Sequence, residues 1–300
     1  MLKKVVCAFF ISVLILILFN ISYLANCGLL IPEYFWNRAD EINTLNAFTH
    51  PHAVSHSKRS HEDPLTVADF RFEQLYSEQD AKSISERIIA QRHLWQRRNA
   101  VMSTLGVSSY VDGFNSKEYQ RLAKESNTTM TRLFGDVEQR ILNYFRFRLE
   151  GTDATVEFRE NAALPGFHIF DGSELFSRPV ASVHRDLQFW RLEYAHDENI
   201  DFKNTLSFTV SLQLPEGGAG LYMFDVPDVG LLQTILPRPL LTAVAQKTKI
   251  VYKTGYIVCH NGQTTHMIAP SPWKGNDSLR ITLQGHGIYD WKKMKWYLYW

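Results

Sequence analysis

Four residues in the C-terminal half have the types and spacing for metal chemistry: His184 and Asp186 in SVHRDLQFW, His266 in GQTTHMIAP, and Arg280 in NDSLRITLQG. Two histidines and one carboxylate form a ligand set that holds Fe(II) on one face and leaves the other open. Residues two apart in a strand point to the same side. His184 and Asp186 therefore reach one metal together if SVHRDLQFW is extended, and His266 completes the site from a later strand. Arg280 follows His266 by 14 residues and offers a guanidinium fork suited to a carboxylate. Iron, an open face and a carboxylate anchor together point to an oxygenase that consumes an organic acid.

The order of these motifs resembles that of the Fe(II)/2-oxoglutarate-dependent oxygenases: HxD, a distal His followed by Pro270 in HMIAP, then a basic residue in RxT. LSFTVSLQLPEGGAGLYMF is similar to the family's middle strands, which end in a Gly-Gly turn and an apolar strand. KTGYIVCHNGQTTHMIAP is similar to the strand, turn and His-strand that close the site. The likeness covers about residues 165–290. It implies a distorted, prolyl-hydroxylase-like double-stranded β-helix with Fe(II) on His184, Asp186 and His266. It also implies 2-oxoglutarate as cosubstrate, its distal carboxylate on Arg280 and Thr282, with ascorbate as a candidate accessory. The reaction implied is hydroxylation of a substrate C–H bond as 2-oxoglutarate goes to succinate and CO2. A protein, a glycan and a lipid all stay open as substrate.

Each assignment has a competitor. HRD alone could be an exposed turn, and Arg280 could be a surface arginine on an edge strand. Leu279, Ile281 and Leu283 alternate with Arg280, Thr282 and Gln284, so Arg280 and Thr282 share a polar face. If that face is the barrel interior, a buried arginine calls for an anionic ligand. His260 is a rival third ligand, but it precedes the turn dipeptide Asn261-Gly262, and a strand holds a ligand more rigidly than a turn. His168 in PGFHIFDG lines a pocket or packs in the core, and Arg185 should face away from its two neighbours. A cupin-like metal barrel with another activity, or an inactive membrane-associated scaffold, would need no cosubstrate clamp.

The elements that must position these groups follow from the rest of the chain. Of 300 residues, 45% are hydrophobic and 21% charged, enough for an ordinary core. The net charge of +1 gives no long-range pull on a polyanion, which argues against nucleic acid. Lys3 and Lys4 precede an apolar run over residues 5–25, about the length that spans a bilayer. The expectation for residues 1–26 is a type II signal anchor, with a cleaved signal peptide as the rival. The catalytic domain then lies on the non-cytoplasmic side, in an endomembrane lumen. Residues 27–65, with His50, His52, His56 and His61, read as a stem. Cys27 and Cys259 read as unpaired thiols rather than a bridge.

Residues 66–150 read as a helical extension, with Ser77 as an N-cap, SKEYQRLAKES and TMTRLFGDVEQRILNYFRFRLEG continuing it, and Gly151 as its stop. From residue 151 the period changes. ATVEFRE, GFHIFDG, LQFWRLEYA, LSFTVSLQL, GLYMFDV, LLTAVAQ, KIVYKTGYIVC and LRITLQGHGIY are short, rich in β-branched and aromatic residues, and bounded by turn residues. The fold class expected is α+β, mainly β: a jelly roll over residues 151–300 braced by the N-terminal helices. The tail WKKMKWYLYW reads as a last strand packed on the helices, or as a contact with a lipid interface. Asn127 and Asn276 open glycosylation sequons of the kind that arise by chance.

Overall fold

The computed structural model describes residues 71–148, 154–178, 183–192, 199–225, 245–272, 274–275 and 279–300. The anchor, the stem histidines, Cys27, Gly151, Asn276 and nearly all of LLTAVAQ lie outside them. In chain order the elements are β1 (Arg71–Gln74), α1 (Glu78–Ala90), β2 (Gln96–Arg97), β3 (Met102–Leu105), α2 (Ser109–Asp112) and α3 (Ser116–Arg148). There follow β4 (Thr155–Phe158), β5 (Gly166–Phe170), β6 (Ile200–Gln213), β7 (Gly220–Asp225), β8 (Gln246–Val251), β9 (Tyr256–Asn261), β10 (Thr265–Ala269), β11 (Arg280–Asp290) and β12 (Lys295–Tyr299).

Helix α1 starts where its cap predicts. The Ser77 hydroxyl accepts from the Asp80 amide, with Glu78 and Asp80 in the first turn and Arg87 in the last. Ala81, Ile84, Ser85 and Ile88 form its buried face. The two later helical stretches are one element, α3, broken only at Phe134, whose φ of −136° is not helical. One expectation is corrected here. Residues 66–150 are not purely helical, because β1, β2 and β3 belong to the main sheet. Those strands are two to four residues long, too short for a two-residue period to register among helical patterns.

Nine strands form the main sheet, with a path β1-β9-β6-β11-β5-β3-β2 and β12 and β4 branching from β11. β11 carries β5 beside its first half and β12 beside its second. A second sheet runs β10-β7-β8. The turn into β7 uses the Gly-Gly pair: Gly218 donates to the Pro215 carbonyl at 2.8 Å and has φ +77°, a conformation suited to glycine. Helices α1 and α3 cover the outer face of the main sheet, where Ile84, Ile88, Phe134 and Ile141 meet Phe167, Ile169, Val210, Ile257, Ile281 and Leu283 in one cluster.

Alternation then dictates the inner face. Between the apolar positions, His168 on β5, Ser207 and Thr209 on β6, His260 on β9, and Arg280, Gln284 and His286 on β11 line a cavity of about 290 Å³. Leu221 of β7 and His266 and Ile268 of β10 close it from the second sheet. A cavity with a mixed polar and apolar lining, between two sheets each backed by apolar packing, is the scaffold of the site.

Candidate metal centre

His184 and Asp186 reach the cavity on a segment that is only briefly strand-like. His184 forms a single antiparallel bridge with His266, their amides and carbonyls exchanging bonds of 2.9 Å. Asp186 then donates its amide to the Gly262 carbonyl at 2.8 Å. LQFWRLEYA is not a strand in its described part: Gln188–Arg191 is a turn of 3-10 helix. The bridge suffices to aim both side chains inward. His184 Nε2 lies 3.7 Å from Asp186 Oδ1 and His266 Nε2 lies 3.4 Å from Asp186 Oδ2. One ligand atom from each residue falls within 4.8 Å of the others. Ligands about 2.1 Å from one ion and at right angles lie about 3 Å apart, so small side-chain rotations would close the set on a metal.

The donor chemistry fits as well as the spacing. His266 Nδ1 lies 2.8 Å from the Thr264 carbonyl. A proton on Nδ1 satisfies that bond and leaves the Nε2 lone pair facing Asp186. Burial pushes the His266 imidazole down to about 3, against the pull of Asp186, so it is neutral near pH 7. Burial alone would push the Asp186 carboxyl up, but His266, His286, His184 and His260 together hold it below the usual carboxylate range. Gln188 Nε2 donates to Asp186 Oδ1 at 3.2 Å. An ionised carboxylate facing the bare Nε2 of His266 is a concentration of lone pairs that a divalent cation relieves. Arg185 faces away and binds Thr265 Oγ1 at 3.1 Å.

His260 was set aside above as a turn residue, and that premise is corrected. It sits on β9 opposite Ser207, buried, with Nδ1 3.0 Å from the Asn261 carbonyl. Its ring packs edge-on against His266, centroids 4.6 Å apart. It is not among the three residues whose ligand atoms cluster, His184, Asp186 and His266.

Arg280 opens β11 on the cavity wall and is 7% exposed. Its guanidinium lies 5.4 Å from the Phe170 ring and 5.2 Å from the Tyr252 ring. Its Nε and Nη2 have no hydrogen-bond partner. Burial lowers its affinity for the proton, yet an arginine remains charged. Thr282, expected to share its ligand, is fully buried and does not reach the cavity; its hydroxyl meets Gln284 Nε2 at 3.4 Å. His168 stands opposite Thr282 on β5 with Nε2 unpartnered. Burial, with Arg280 adding to it, pushes His168 down to about 3.

Several cavity residues were not singled out from the sequence. His286 Nδ1 lies 3.9 Å from Asp186 Oδ2 and 3.2 Å from Ser207 Oγ. The signal was present, since His286 continues the alternation of Arg280, Thr282 and Gln284. Tyr110 packs near His184 with centroids 5.6 Å apart and is 40% exposed. Trp300 reaches the cavity because β5 begins with Gly166: a Cβ there would stand 2.0 Å from the indole. No spacing rule points to either residue. Asn127 is engaged on both sides of its amide, with the Ala162 carbonyl and the Leu164 amide.

No protein-family model matches the chain, and no curated protein matches it in sequence. Solved structures that resemble it include an N-substituted L-amino acid dioxygenase from Burkholderia ambifaria in complex with alpha-ketoglutarate. The two share 13% identity over 73% of this chain and 91% of that one, with a TM-score of 0.39. The carbocyclase SnoK from nogalamycin biosynthesis, described as non-heme and alpha-ketoglutarate dependent, shares 13% over 73% and 78%, with a TM-score of 0.35. A prolyl-4-hydroxylase from Pseudomonas putida shares 11% over 72% and 89%, with a TM-score of 0.32. Overlaps this loose transfer no residue's role. In its own motif order and its His184–Asp186–His266 cluster, the chain is similar to the Fe(II)/2-oxoglutarate-dependent oxygenases.

Proposed function

We propose that this protein is an Fe(II)- and 2-oxoglutarate-dependent oxygenase. The observation that carries the reading is one cavity with two complementary ends. A cluster short of a cation, His184, Asp186 and His266, faces it at one place. A buried cation short of acceptors, Arg280, faces it at another. The first would hold Fe(II) and the second the distal carboxylate of 2-oxoglutarate. With both bound, the site would supply hydroxylation chemistry in which O2 is the oxidant: one oxygen atom would enter a substrate C–H bond and the other would enter succinate as 2-oxoglutarate is oxidised with loss of CO2.

The protein's own part is positional. The Thr264 carbonyl fixes the His266 tautomer, Gln188 steadies Asp186, and Tyr252 and Phe170 set the plane of the Arg280 fork. Closure of the cavity by both sheets limits water around the reacting groups. A cupin-like barrel with another activity would have no use for Arg280, and an inactive scaffold none for the ligand cluster.

The substrate is a protein, glycan or lipid on the far side of a membrane, reached by a domain that residues 5–25 tether. The test uses the full chain in detergent, loaded anaerobically with Fe(II) and titrated calorimetrically with 2-oxoglutarate. Saturable binding that disappears in Asp186→Ala is expected. An iron-loaded protein that ignores 2-oxoglutarate would overturn the assignment. Carbonate extraction of membranes tests the tether, which predicts retention in the pellet.

A further inference from the structure

The β11–β12 hairpin has a tip that the oxygenase reading does not use. Most of the aromatic tail is core: Trp296, Tyr299 and Trp300 are each 1% exposed. Trp291 and Met294 are instead 54% and 46% exposed, and Lys292 and Lys293 between them are exposed as well. The tip is held rather than loose. Asp290, fully buried, accepts from the Lys293 amide at 3.0 Å and pairs with its ammonium at 3.1 Å.

Strand register brings two other features to the same end. Gly285 and Gly287 of β11 lie beside Phe208 and Leu206 of β6, which lie beside Cys259 and Asn261 of β9. β9 thus runs in the direction of β11. β1 runs against it, with Arg71 beside Cys259 and Gln74 beside Tyr256. The N-terminal end of β1, where the chain from residues 1–70 joins, therefore faces the hairpin end. Helix α3 finishes there too. Arg146 Nε donates to the Val156 carbonyl at 3.3 Å, the Thr155 amide donates to the Met294 carbonyl at 2.9 Å, and Arg148 pairs with Glu73 of β1. Phe147, between those arginines, is 66% exposed. Three of the seven large hydrophobic side chains left exposed among the described residues thus gather at one end, beside Arg146, Lys292 and Lys293.

We infer that this end of the domain rests on an anionic lipid surface, with Trp291 and Met294 at headgroup depth and Lys292 against acidic headgroups, while the Lys293 ammonium stays on Asp290 and holds the tip in shape. Aromatic side chains favour the bilayer interface and lysines reach its phosphates. A protein partner of standard size would need about 800 Å² on this side, more than one hairpin tip and one helix end provide. The inference stands beside the tether proposed above: the N-terminal end of β1 lies level with the middle of β11 and points toward the hairpin.

The test places the full chain in vesicles of phosphatidylcholine alone and of equimolar phosphatidylcholine and phosphatidylserine. Each kind is made with and without brominated acyl chains that quench nearby indoles. Wild type should be quenched more than Trp291→Phe in the anionic vesicles, and the difference should shrink in Lys292→Glu, which leaves the Lys293–Asp290 pair in place. The lost lysine should weaken the surface contact roughly fivefold. Equal quenching of wild type and Trp291→Phe in both lipids overturns the inference. If carbonate strips the chain from the vesicles, the tether fails independently. Salt-sensitive binding of the same chain to anionic but not neutral vesicles then still supports the surface, and its absence refutes it.

Discussion

Arg280→Met should make the empty protein more stable and the ligand-bound protein less so. In the wild type two guanidinium N–H groups are buried without acceptors, at about 1–3 kcal/mol each. Contacts with the Phe170 and Tyr252 rings return about 0.5–2 kcal/mol each. The difference is a net strain on the order of 1 kcal/mol, which an unbranched apolar side chain of similar reach removes. For a domain of this size that raises Tm by about 2–4 °C. The ligand response should move the other way. At 100-fold excess over Kd, 2-oxoglutarate stabilises wild type by about 2.7 kcal/mol. Losing a charged hydrogen-bond fork weakens binding about 10- to 150-fold, which leaves the variant with about 1.4 to 0.3 kcal/mol. Thermal melts of the Mn(II)-loaded protein, with and without 2-oxoglutarate, measure both quantities. Arg280→Lys, which keeps the charge and loses the fork, should fall between. A variant that melts lower without ligand and keeps the full 2-oxoglutarate shift would refute the assignment of Arg280 as a carboxylate anchor.

Three further outcomes are expected. Asp186→Asn and His266→Ala should each lose stoichiometric Fe(II) while staying folded, and His260→Ala should retain it, by metal analysis after gel filtration; loss in His260→Ala alone would move the third ligand. Apo stability should fall with acid, because His168 and His266 are held near 3 when folded and titrate near 6.5 when unfolded. The unfolded state therefore binds more protons between those values, and stability is lost as pH falls through that window. Each histidine should cost about 1.4 kcal/mol by pH 5.5, and denaturant titrations of His168→Leu should show a shallower decline. Gly166→Ala puts a methyl group into the Trp300 ring, so it should destabilise by roughly 1–3 kcal/mol and red-shift the indole emission as Trp300 leaves the cavity.

What the sequence disclosed follows from which interactions are local. The cap at Ser77, the faces of α1 and the alternation along β11 depend on residues a few positions apart, and all are readable as patterns. His286 lay within the same alternation and needed only its continuation by two residues beyond Gln284. β1 to β3 were hidden because strands this short owe their existence to partners far away: β1 pairs with β9, across nearly the whole domain. The premise about His260 failed for a related reason, since Asn261-Gly262 does turn the chain, but only after β9 has carried His260 into register with Ser207. Thr282 shows the limit of the alternation rule itself. It shares a side with Arg280, yet it lies fully buried between β5 and β6, and Gln284 Nε2 donates to its hydroxyl. Period-two reading therefore assigns a face correctly and depth poorly. The carboxylate anchor should then be sought among groups with depth and an unmet valence, which on this wall are Arg280 and His168.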